Sequence, residues 1–512
     1  MKKIVFLILF GLVATSSMAQ PGTLDPSFNG TGYVIDTVNL TPMSYITGRT
    51  MSVQPNGKIL VSAMINTPQS LKTRLFRYNT DGSHDPAFGT DGILDLGYSL
   101  GTSIQSLAVQ PDGKIVGSGY GMPVAGRFQW VVIRLNADGT YDPGFGTGGI
   151  VNTTIYDSME VANCLKLLPG GEILTSGGAL NPTTGKWEYV MVRYLADGTP
   201  DPGFGNGGIV IPVIPGGTFI TQGMVCLQSD GKVILGGNTK FGTRYTATLM
   251  RFLQDGKPDS TFGTNGLVID SAGIRNGTYT LAAQPDDKIV VPGWVYITDL
   301  NHPQFSIFRY NADGSCDETF AAGGHYIGLG GSSYDAFVQP DGRILAAGNL
   351  VNDSTLKRPA ICRFLPSGEL DSGFGDNGFF LLNDSTPGGL NSMVLDPNGN
   401  ILSTGYCNEQ TSPSVRQLLT LRLTAFGVGI IENEVEQRLA ISPNPATDKL
   451  LLTTSNLNNC NLSVFSADGR LICEKELIGK TTTLDVGSFR PGVYYFKVKS
   501  KSGQATAIMI KR

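Results

Sequence analysis

The stretch Asn136–Val151, "NADGTYDPGFGTGGIV", decides the fold, because close copies of it return along most of the chain. Seven copies keep an Asp, a Phe three residues after it and a Gly seven residues after it, and successive Asp residues stand 54 to 60 residues apart. A fixed period of this length indicates a repeat architecture. The repeated Asp residues are Asp25, Asp85, Asp142, Asp201, Asp259, Asp317 and Asp371.

A second column consists of arginines at the end of an apolar run, as in "WVVIRL" at 130–135. The next Asp follows eight residues later in all six places where consecutive copies supply both. We hypothesise that each Arg forms a bidentate ion pair with that Asp, while the Phe enters the core between units. Arg422 has no Asp after it, so closure of the chain into a ring would make Asp25 its partner. The arginines are Arg77, Arg134, Arg193, Arg251, Arg309, Arg363 and Arg422.

Each repeat contains four strand-like segments, exemplified by "GGIV", "SLAVQ", "KIVGSGY" and "WVVIRL", and a tight turn of the "QPDGK" type joins the second to the third. Seven units of about 58 residues fit blades of four antiparallel strands. We therefore predict an all-β fold with a seven-bladed β-propeller over 20–427. An open β-solenoid is the alternative, although it needs terminal copies with altered patterns. The sequence leaves open whether each blade closes within its repeat or by strand exchange.

Bulk properties bound the function. The chain has 512 residues and a formal net charge of −4, so it lacks the basic surface expected of a nucleic-acid-binding protein. Residues 1–19 have a basic start, a short apolar run and small residues, which predicts a secretory signal peptide; a membrane helix is the weaker alternative. Of seven scattered cysteines, Cys460 and Cys473 share one small region, either as a disulfide or as core thiols.

The units "DGSHDPAFGTDGIL", "VQPDGKIVGSG" and "VVIRLNADG" resemble the delta-60 repeat of secreted bacterial proteins. The resemblance covers about 22–427. It implies a propeller-like fold, but it brings no shared activity.

The chain end carries a second resemblance. "LAISPNPATDKLLLTT", "PGVYYFKVKS" and the terminal "KR" resemble the type A C-terminal sorting domain of the type IX secretion system of Bacteroidota. The alternating runs predict a small Ig-like β-sandwich over 439–512, after a linker at 428–438. A plain Ig-like binding module is the alternative. The resemblance implies the type IX machinery as a partner, passage through the periplasm and across the outer membrane, and then release or surface attachment.

Candidate chemistry is sparse, and we predict no cofactor. The three histidines, His84, His302 and His325, share no motif, which argues against a zinc site or a triad. Asn136, Asp138 and Asp142 could be ligands of a calcium loop, but an Asx turn explains them better, because other copies lose one ligand and keep the turn. Seven equivalent Asp residues indicate structure rather than glycoside hydrolysis.

The variable loops indicate where a ligand would bind. They lie on the face opposite the tight turns, and all three Trp residues fall within or beside them. Trp130, Trp187 and Trp294 are candidate ligand-binding residues, unless each merely caps its own hairpin. We predict a secreted or cell-surface binding or scaffold module with an extracellular protein or glycan ligand, more plausibly without enzymatic activity. The alternatives are an extracellular hydrolase or lyase acting on polysaccharide, and a structural adhesin.

Overall fold

The computed structural model describes residues 20–37, 44–67, 71–96, 102–124, 127–298, 302–352, 356–382, 387–408, 415–424, 439–442, 446–454, 460–466, 470–477, 481–500 and 503–511. The leader predicted at 1–19 and the linker predicted at 428–438 lie outside these ranges. Every named element in the described residues is a β-strand, so the predicted all-β class is confirmed. The same ranges contain no helix long and apolar enough to cross a membrane.

The body consists of seven blades of four antiparallel strands, numbered one to seven along the chain. The first strands of the blades line a central channel. They are β2 (Tyr45–Val53), β6 (Thr102–Val109), β10 (Glu160–Leu167), β14 (Phe219–Leu227), the pair β18 (Arg275–Thr278) and β19 (Ala282–Ala283), the second half of β22 (His325–Val338), and β26 (Gly388–Leu395).

The second and third strands form the central hairpins of the blades. The second strands are β3 (Ile59–Asn66), β7 (Ile115–Val124), β11 (Ile173–Asn181), β15 (Val233–Phe241), β20 (Ile289–Tyr296), β23 (Ile344–Asn352) and β27 (Ile401–Asn408). The third strands are β4 (Leu71–Tyr78), β8 (Arg127–Leu135), β12 (Lys186–Tyr194), β16 (Arg244–Phe252), β21 (Gln304–Tyr310), β24 (Leu356–Phe364) and β28 (Arg416–Leu423).

The outermost strand of each blade comes from the following repeat. The blades therefore close by strand exchange and not within one repeat, an alternative that the sequence left open. These strands are β5 (Ile93–Asp95), β9 (Ile150–Thr153), β13 (Ile209–Val210), β17 (Leu267–Ile269), the first half of β22, β25 (Phe379–Leu381) and β1 (Tyr33–Asp36). β1 pairs with β28, so the first repeat completes the seventh blade. β26 also contacts β2, which closes the ring.

A β-bulge interrupts the first strand in six blades, and in blade five the strand breaks into β18 and β19 at the same place. The second strand carries a very small residue opposite, which is Ala63 in blade one and Gly in the other six. A Cβ at Gly177 would lie 1.9 Å from the carbonyl oxygen of Val161. Only glycine tolerates that approach in blade three, so the "GSGY"-type run of six repeats encodes the bulge, while blade one has the bulge with Ala63.

The residues after 438 form two small antiparallel sheets around one buried apolar cluster. Their strands are β29 (Leu439–Ser442), β30 (Lys449–Thr454) and β33 (Thr481–Asp485) in one sheet, and β32 (Leu471–Leu477), β31 (Cys460–Ser466), β34 (Gly492–Ser500) and β35 (Gly503–Lys511) in the other. Cys460 pairs in register with Leu477 and Cys473 with Val464, so the two thiols are offset along the hairpin and both are free.

Candidate functional site

An interblade hinge, composed of one Arg, one Asp and one Phe, recurs at all seven blade junctions. In each hinge the Arg Nε lies 2.6–2.8 Å from an Asp Oδ2. The guanidinium carbon lies 4.3–5.0 Å from the centroid of the Phe ring, and each Phe is fully buried. The hinge thus combines a buried ion pair with a cation–π contact. The phenylalanines are Phe28, Phe88, Phe145, Phe204, Phe262, Phe320 and Phe374.

The expected bidentate geometry of the pair is wrong. In the first hinge only Nε of Arg77 contacts Asp85, while Nη1 donates to the carbonyl oxygen of Ala137 at 2.5 Å, in the turn of the next repeat. The other oxygen of Asp85 accepts the N–H of Ala87. In six of the seven hinges an Nη1 hydrogen bond to a backbone carbonyl of this kind joins the turn of the Arg to the next turn.

Closure of the ring uses the same contacts. Nε of Arg422 lies 2.8 Å from Oδ2 of Asp25, as the repeat spacing predicts, and Nη1 donates to the carbonyl oxygen of Thr80 at 2.5 Å. Gly22 packs against the ring of Phe374, and a Cβ at Gly22 would lie 2.7 Å from that ring. In the other hinges a turn glycine packs against the hinge Phe in the same way. The seventh junction is therefore chemically the same as the other six.

The sequence analysis missed a second cation in the hinge. In five junctions the last residue of the tight turn reaches the same Asp Oδ2, at 2.7–3.6 Å. The signal was present, because that position is basic in these five repeats and is Glu172 or Asn400 in the other two. The five residues are Lys58, Lys114, Lys232, Lys288 and Arg343.

These contacts control the ionisation of the hinge carboxyls. Burial alone would raise the pKa of Asp142, but hydrogen bonds from the Gly144 N–H, Lys114 and Arg134 outweigh it and lower the pKa to about 2. The pKa of Asp259 is also lowered to about 2, because its hydrogen bonds and cations again outweigh burial. A carboxyl whose pKa falls on folding contributes stability above its unfolded pKa of about 4, and this contribution is lost as pH falls through the folded value.

Acid should therefore weaken the propeller within a defined range. We expect the urea midpoint of unfolding to change little from pH 7 to about 5 and to fall between about pH 4 and pH 2. Asp142→Asn removes one of the responsible carboxylates, so this variant should be less stable at pH 7 but should lose less on acidification. A midpoint that stays constant down to about pH 2, measured by tryptophan fluorescence, would contradict the expectation.

The central channel presents side chains that do not repeat. The residue at the bulge varies among the blades, with five residue types at seven positions, and this bulge column consists of Arg49, Gln105, Asn163, Gly223, Tyr279, Tyr334 and Asn391. On the second strand of each blade, one residue directly follows the Ala or Gly that lies opposite the bulge. These residues form the mouth column, which consists of Met64, Tyr120, Gly178, Asn238, Trp294, Asn349 and Tyr406. A fixed backbone thus carries two variable columns, and the bulge column, except Gly223, lines a cavity of about 1190 Å³.

Aromatic and arginine side chains collect on one side of the channel mouth. Arg416 lies 4.4 Å from the ring centroid of Tyr406 and 5.5 Å from that of Tyr45. The rings of Tyr279 and Tyr334 meet edge to face at 4.7 Å. The tyrosine–arginine arc, as we name this group, comes from blades five, six, seven and one. It consists of Tyr45, Arg49, Tyr279, Tyr334, Tyr406 and Arg416.

Comparison with known proteins identifies both parts of the chain. A family model described as "Domain of unknown function (DUF5122) beta-propeller" matches 54–88, 110–145, 171–204, 228–262, 284–320 and 339–374, each span running from a tight turn to the Phe of the next hinge. A model for the "Secretion system C-terminal sorting domain" matches 440–512. This chain is a β-propeller repeat protein with a type IX secretion sorting domain. The sorting domain implies export across the outer membrane, to secretion or surface attachment.

Several solved structures are similar to this chain at low identity. A fungal alcohol oxidase of the AA5 family, in complex with copper, is 14% identical with a TM-score of 0.48, over 93% of this chain and 98% of that one. A protein of unknown function from Dyadobacter fermentans is 13% identical with a TM-score of 0.41, over 77% and 99% of the two chains. Polysaccharide lyase Uly1 is 10% identical with a TM-score of 0.42, over 80% and 98%. No curated protein matches the chain.

The three tryptophans of this propeller differ in accessibility. Trp130 is fully buried and its Nε1 donates to Thr175 Oγ1, so it belongs to the core, and its place among the candidate ligand-binding residues is withdrawn. Trp187 is half-buried and packs against the core of its blade. Trp294 is half-buried in the mouth column, with its ring 5.6 Å from that of Tyr296. Trp294 therefore extends the tyrosine–arginine arc.

Two histidines of the propeller join blades in similar ways. His84 Nε2 lies 2.7 Å from Asp36, which also accepts the hydroxyl of Tyr78. His325 Nε2 lies 3.0 Å from Asp270, which accepts the hydroxyl of Tyr310. The hydrogen bond to Asp36 raises the pKa of His84 despite its burial. These side chains connect outer strands to neighbouring blades, while His302 is exposed in a loop.

The residues considered as a calcium loop are used within the turn. Asp138 Oδ1 accepts the N–H and the hydroxyl of Thr140, and Asn136 Nδ2 donates to the same hydroxyl. Asp142 faces Arg134 in the hinge. These bonds are those of an Asx turn. The described residues contain no group of three or more His, Cys, Asp or Glu that could hold a metal ion.

Proposed function

We propose that this protein is a secreted or surface-attached binding module, and that its ligand is recognised at the channel mouth. The observation that carries the proposal is the contrast between the hinge and the two channel columns. Seven hinges keep the same three residues, whereas the bulge and mouth columns differ from blade to blade on the same backbone. Residues that repeat in every hinge indicate a structural role, whereas residues that vary at a concave surface are typical of a binding site.

The asymmetry of the mouth supports a discrete site. Blades five, six, seven and one contribute the large aromatic and cationic side chains of the arc. Blades three and four contribute only Asn163, Gly223, Gly178 and Asn238 to the two columns. Tyrosine and tryptophan present a large contact area at low cost in conformational entropy, which suits recognition.

Catalysis would need acids or bases that face the channel without other partners. Asp335 follows the bulge in blade six, and burial raises its pKa to about 6. However, its two oxygens accept the N–H groups of Met393 and Ala336, so it fixes the junction between blades six and seven. We therefore favour binding over the hydrolase or lyase alternative.

Binding to an array of neutral and acidic oligosaccharides tests the proposal. We expect the full-length protein to bind at least one class without releasing cleaved products. Tyr406→Ala should weaken that binding about 10-fold or more, because stacking on an aromatic face is worth about 1–3 kcal/mol by analogy with base stacking.

The matched control is Tyr245→Ala, which removes a tyrosine of blade four that lies outside both columns. This variant should bind as tightly as the wild type. Binding that survives Tyr406→Ala unchanged would place the site elsewhere, and product release by the wild type would favour the enzymatic alternative.

A further inference from the structure

Arg49 is a half-buried cation that forms no ion pair with a carboxylate among the described residues. Its Nε is buried and makes no hydrogen bond, and its Nη2 faces the sulfur of Met64 at 3.2 Å. Burial lowers its pKa, Tyr120 and Tyr45 counter this, and Arg416 lowers it further. No acidic side chain is among these influences. Burying a guanidinium Nε without a hydrogen bond costs stability, and an acceptor on a bound ligand would offset that cost.

A second cation stands beside it. Arg416 is exposed, and it lies over Tyr406 and near Tyr45. It is close enough to Arg49 to influence its ionisation. Neither arginine forms an ion pair with any residue in the described part of the chain, whereas the hinge arginines all do. Within the part of the chain that the structure describes, the arc therefore carries two positive charges without a carboxylate partner.

The arc also contains open space bordered by aromatic and amide groups. A Cβ at Gly389 would lie 3.4 to 3.6 Å from atoms of Tyr406, Asn349 and Tyr334, so glycine leaves a methyl-sized gap between these side chains. Asn349 donates its Nδ2 to the Tyr334 hydroxyl at 2.8 Å, but its buried Oδ1 has no partner. An unused acceptor at this point suits a hydroxyl donor, as an unsatisfied buried polar atom carries a cost.

We propose that the tyrosine–arginine arc binds an acidic oligosaccharide. Arg49 and Arg416 would bind its carboxylate or sulfate group. The rings of Tyr406 and Tyr334 would contact the apolar faces of the sugar rings, and Oδ1 of Asn349 would accept a hydrogen bond from a sugar hydroxyl. Sugar rings offer both hydroxyls and flat C–H faces, so these three elements fit a charged glycan better than an acidic peptide. The inference rests on the proposed function and deepens it by naming the ligand class.

Binding by the full-length protein can be measured calorimetrically at low and high salt. The probes are oligomers of alginate and polygalacturonate, chondroitin sulfate, neutral dextran and xylan oligomers, and a poly-glutamate peptide. We expect at least 10-fold tighter binding to one acidic glycan than to the neutral ones, weakening with salt. The carboxylated and sulfated probes separate the two sources of the negative charge.

Arg49→Gln removes one uncompensated charge. We expect it to weaken binding of the acidic glycan 10-fold or more, since a charge-assisted hydrogen bond is lost. The thermal midpoint should stay unchanged or rise, because no ion pair is broken. The control is Arg127→Gln on the same face of the ring, where Arg127 is already paired with Asp157 at 3.0 Å; this variant should bind normally.

Each outcome is decisive. Selective binding of an acidic glycan that depends on Arg49 supports the inference. Binding of neutral glycans alone, or binding that Arg49→Gln leaves unchanged, overturns it while the proposed function stands. Preference for poly-glutamate overturns the glycan class. Binding of no probe, with Tyr406→Ala indistinguishable from the wild type, overturns the inference and removes the support for the proposed function as well.

Discussion

Arg422→Ala should lower the free energy of unfolding of the propeller by about 3–5 kcal/mol, the cost of removing one partner of a buried ion pair. Asp25 would lose its cation, the carbonyl of Thr80 and the hydroxyl of Ser27 would lose their donor, and the ring of Phe28 would lose its cation–π contact. All these contacts join the last repeat to the first two. We therefore expect the variant to unfold at a markedly lower urea concentration.

Two controls separate closure from ordinary destabilisation. Arg127→Ala breaks an exposed ion pair with Asp157 and should cost less than about 1 kcal/mol. Arg251→Ala breaks an equivalent hinge inside the chain, so it should destabilise to a similar degree. Under native conditions, however, only Arg422→Ala should expose β1 to limited proteolysis. Wild-type unfolding of Arg422→Ala, or equal protection of β1 in both hinge variants, would contradict the role of this pair in closure.

Removal of 440–512 should stop the protein at the periplasm. The type IX machinery handles substrates through this sorting domain, and the segment has its own buried core, so the propeller can keep its fold without it. In a host with a type IX secretion system we expect at least 10-fold less protein at the cell surface and in the medium, with accumulation in the periplasmic fraction. Immunoblots of the cell fractions measure this.

The matched control for export is Tyr406→Ala, which changes the channel mouth and leaves the sorting domain intact. It should reach the surface or the medium as the wild type does. If the truncated chain reaches the same fraction as the wild type, the segment is not needed for export in this protein.

Much of the propeller could be predicted from the sequence because the same side chains recur at equivalent positions of its seven repeats. The gap of eight residues between Arg and Asp predicts the hinge and its closure through Arg422 and Asp25. The bidentate geometry was wrong because the second oxygen of Asp85 accepts the N–H of Ala87, while Nη1 of Arg77 donates to the carbonyl oxygen of Ala137. Both partners are backbone groups, which residue identity does not reveal.

The candidate site was less predictable for the opposite reason. The bulge is encoded by glycines such as Gly177, but the bulge residue itself is not conserved among the blades. The repeated positions therefore give no signal for Arg49 or Tyr334. Trp130 was misassigned because an aromatic residue at the start of a strand looks the same whether it faces a ligand or a neighbouring blade. Only the burial of the side chain distinguishes these two positions, and its burial depends on how the blades pack in the closed propeller.

The exchange of outer strands also sets an order of events during synthesis. β1 is among the first parts of the body to be translated, yet its partner β28 is among the last, and the pair Arg422–Asp25 spans 397 residues. Until then β1 has an unpaired edge that another chain could join. Contacts so distant in sequence form slowly, so we expect this protein to depend on chaperones until its last repeat has been synthesised.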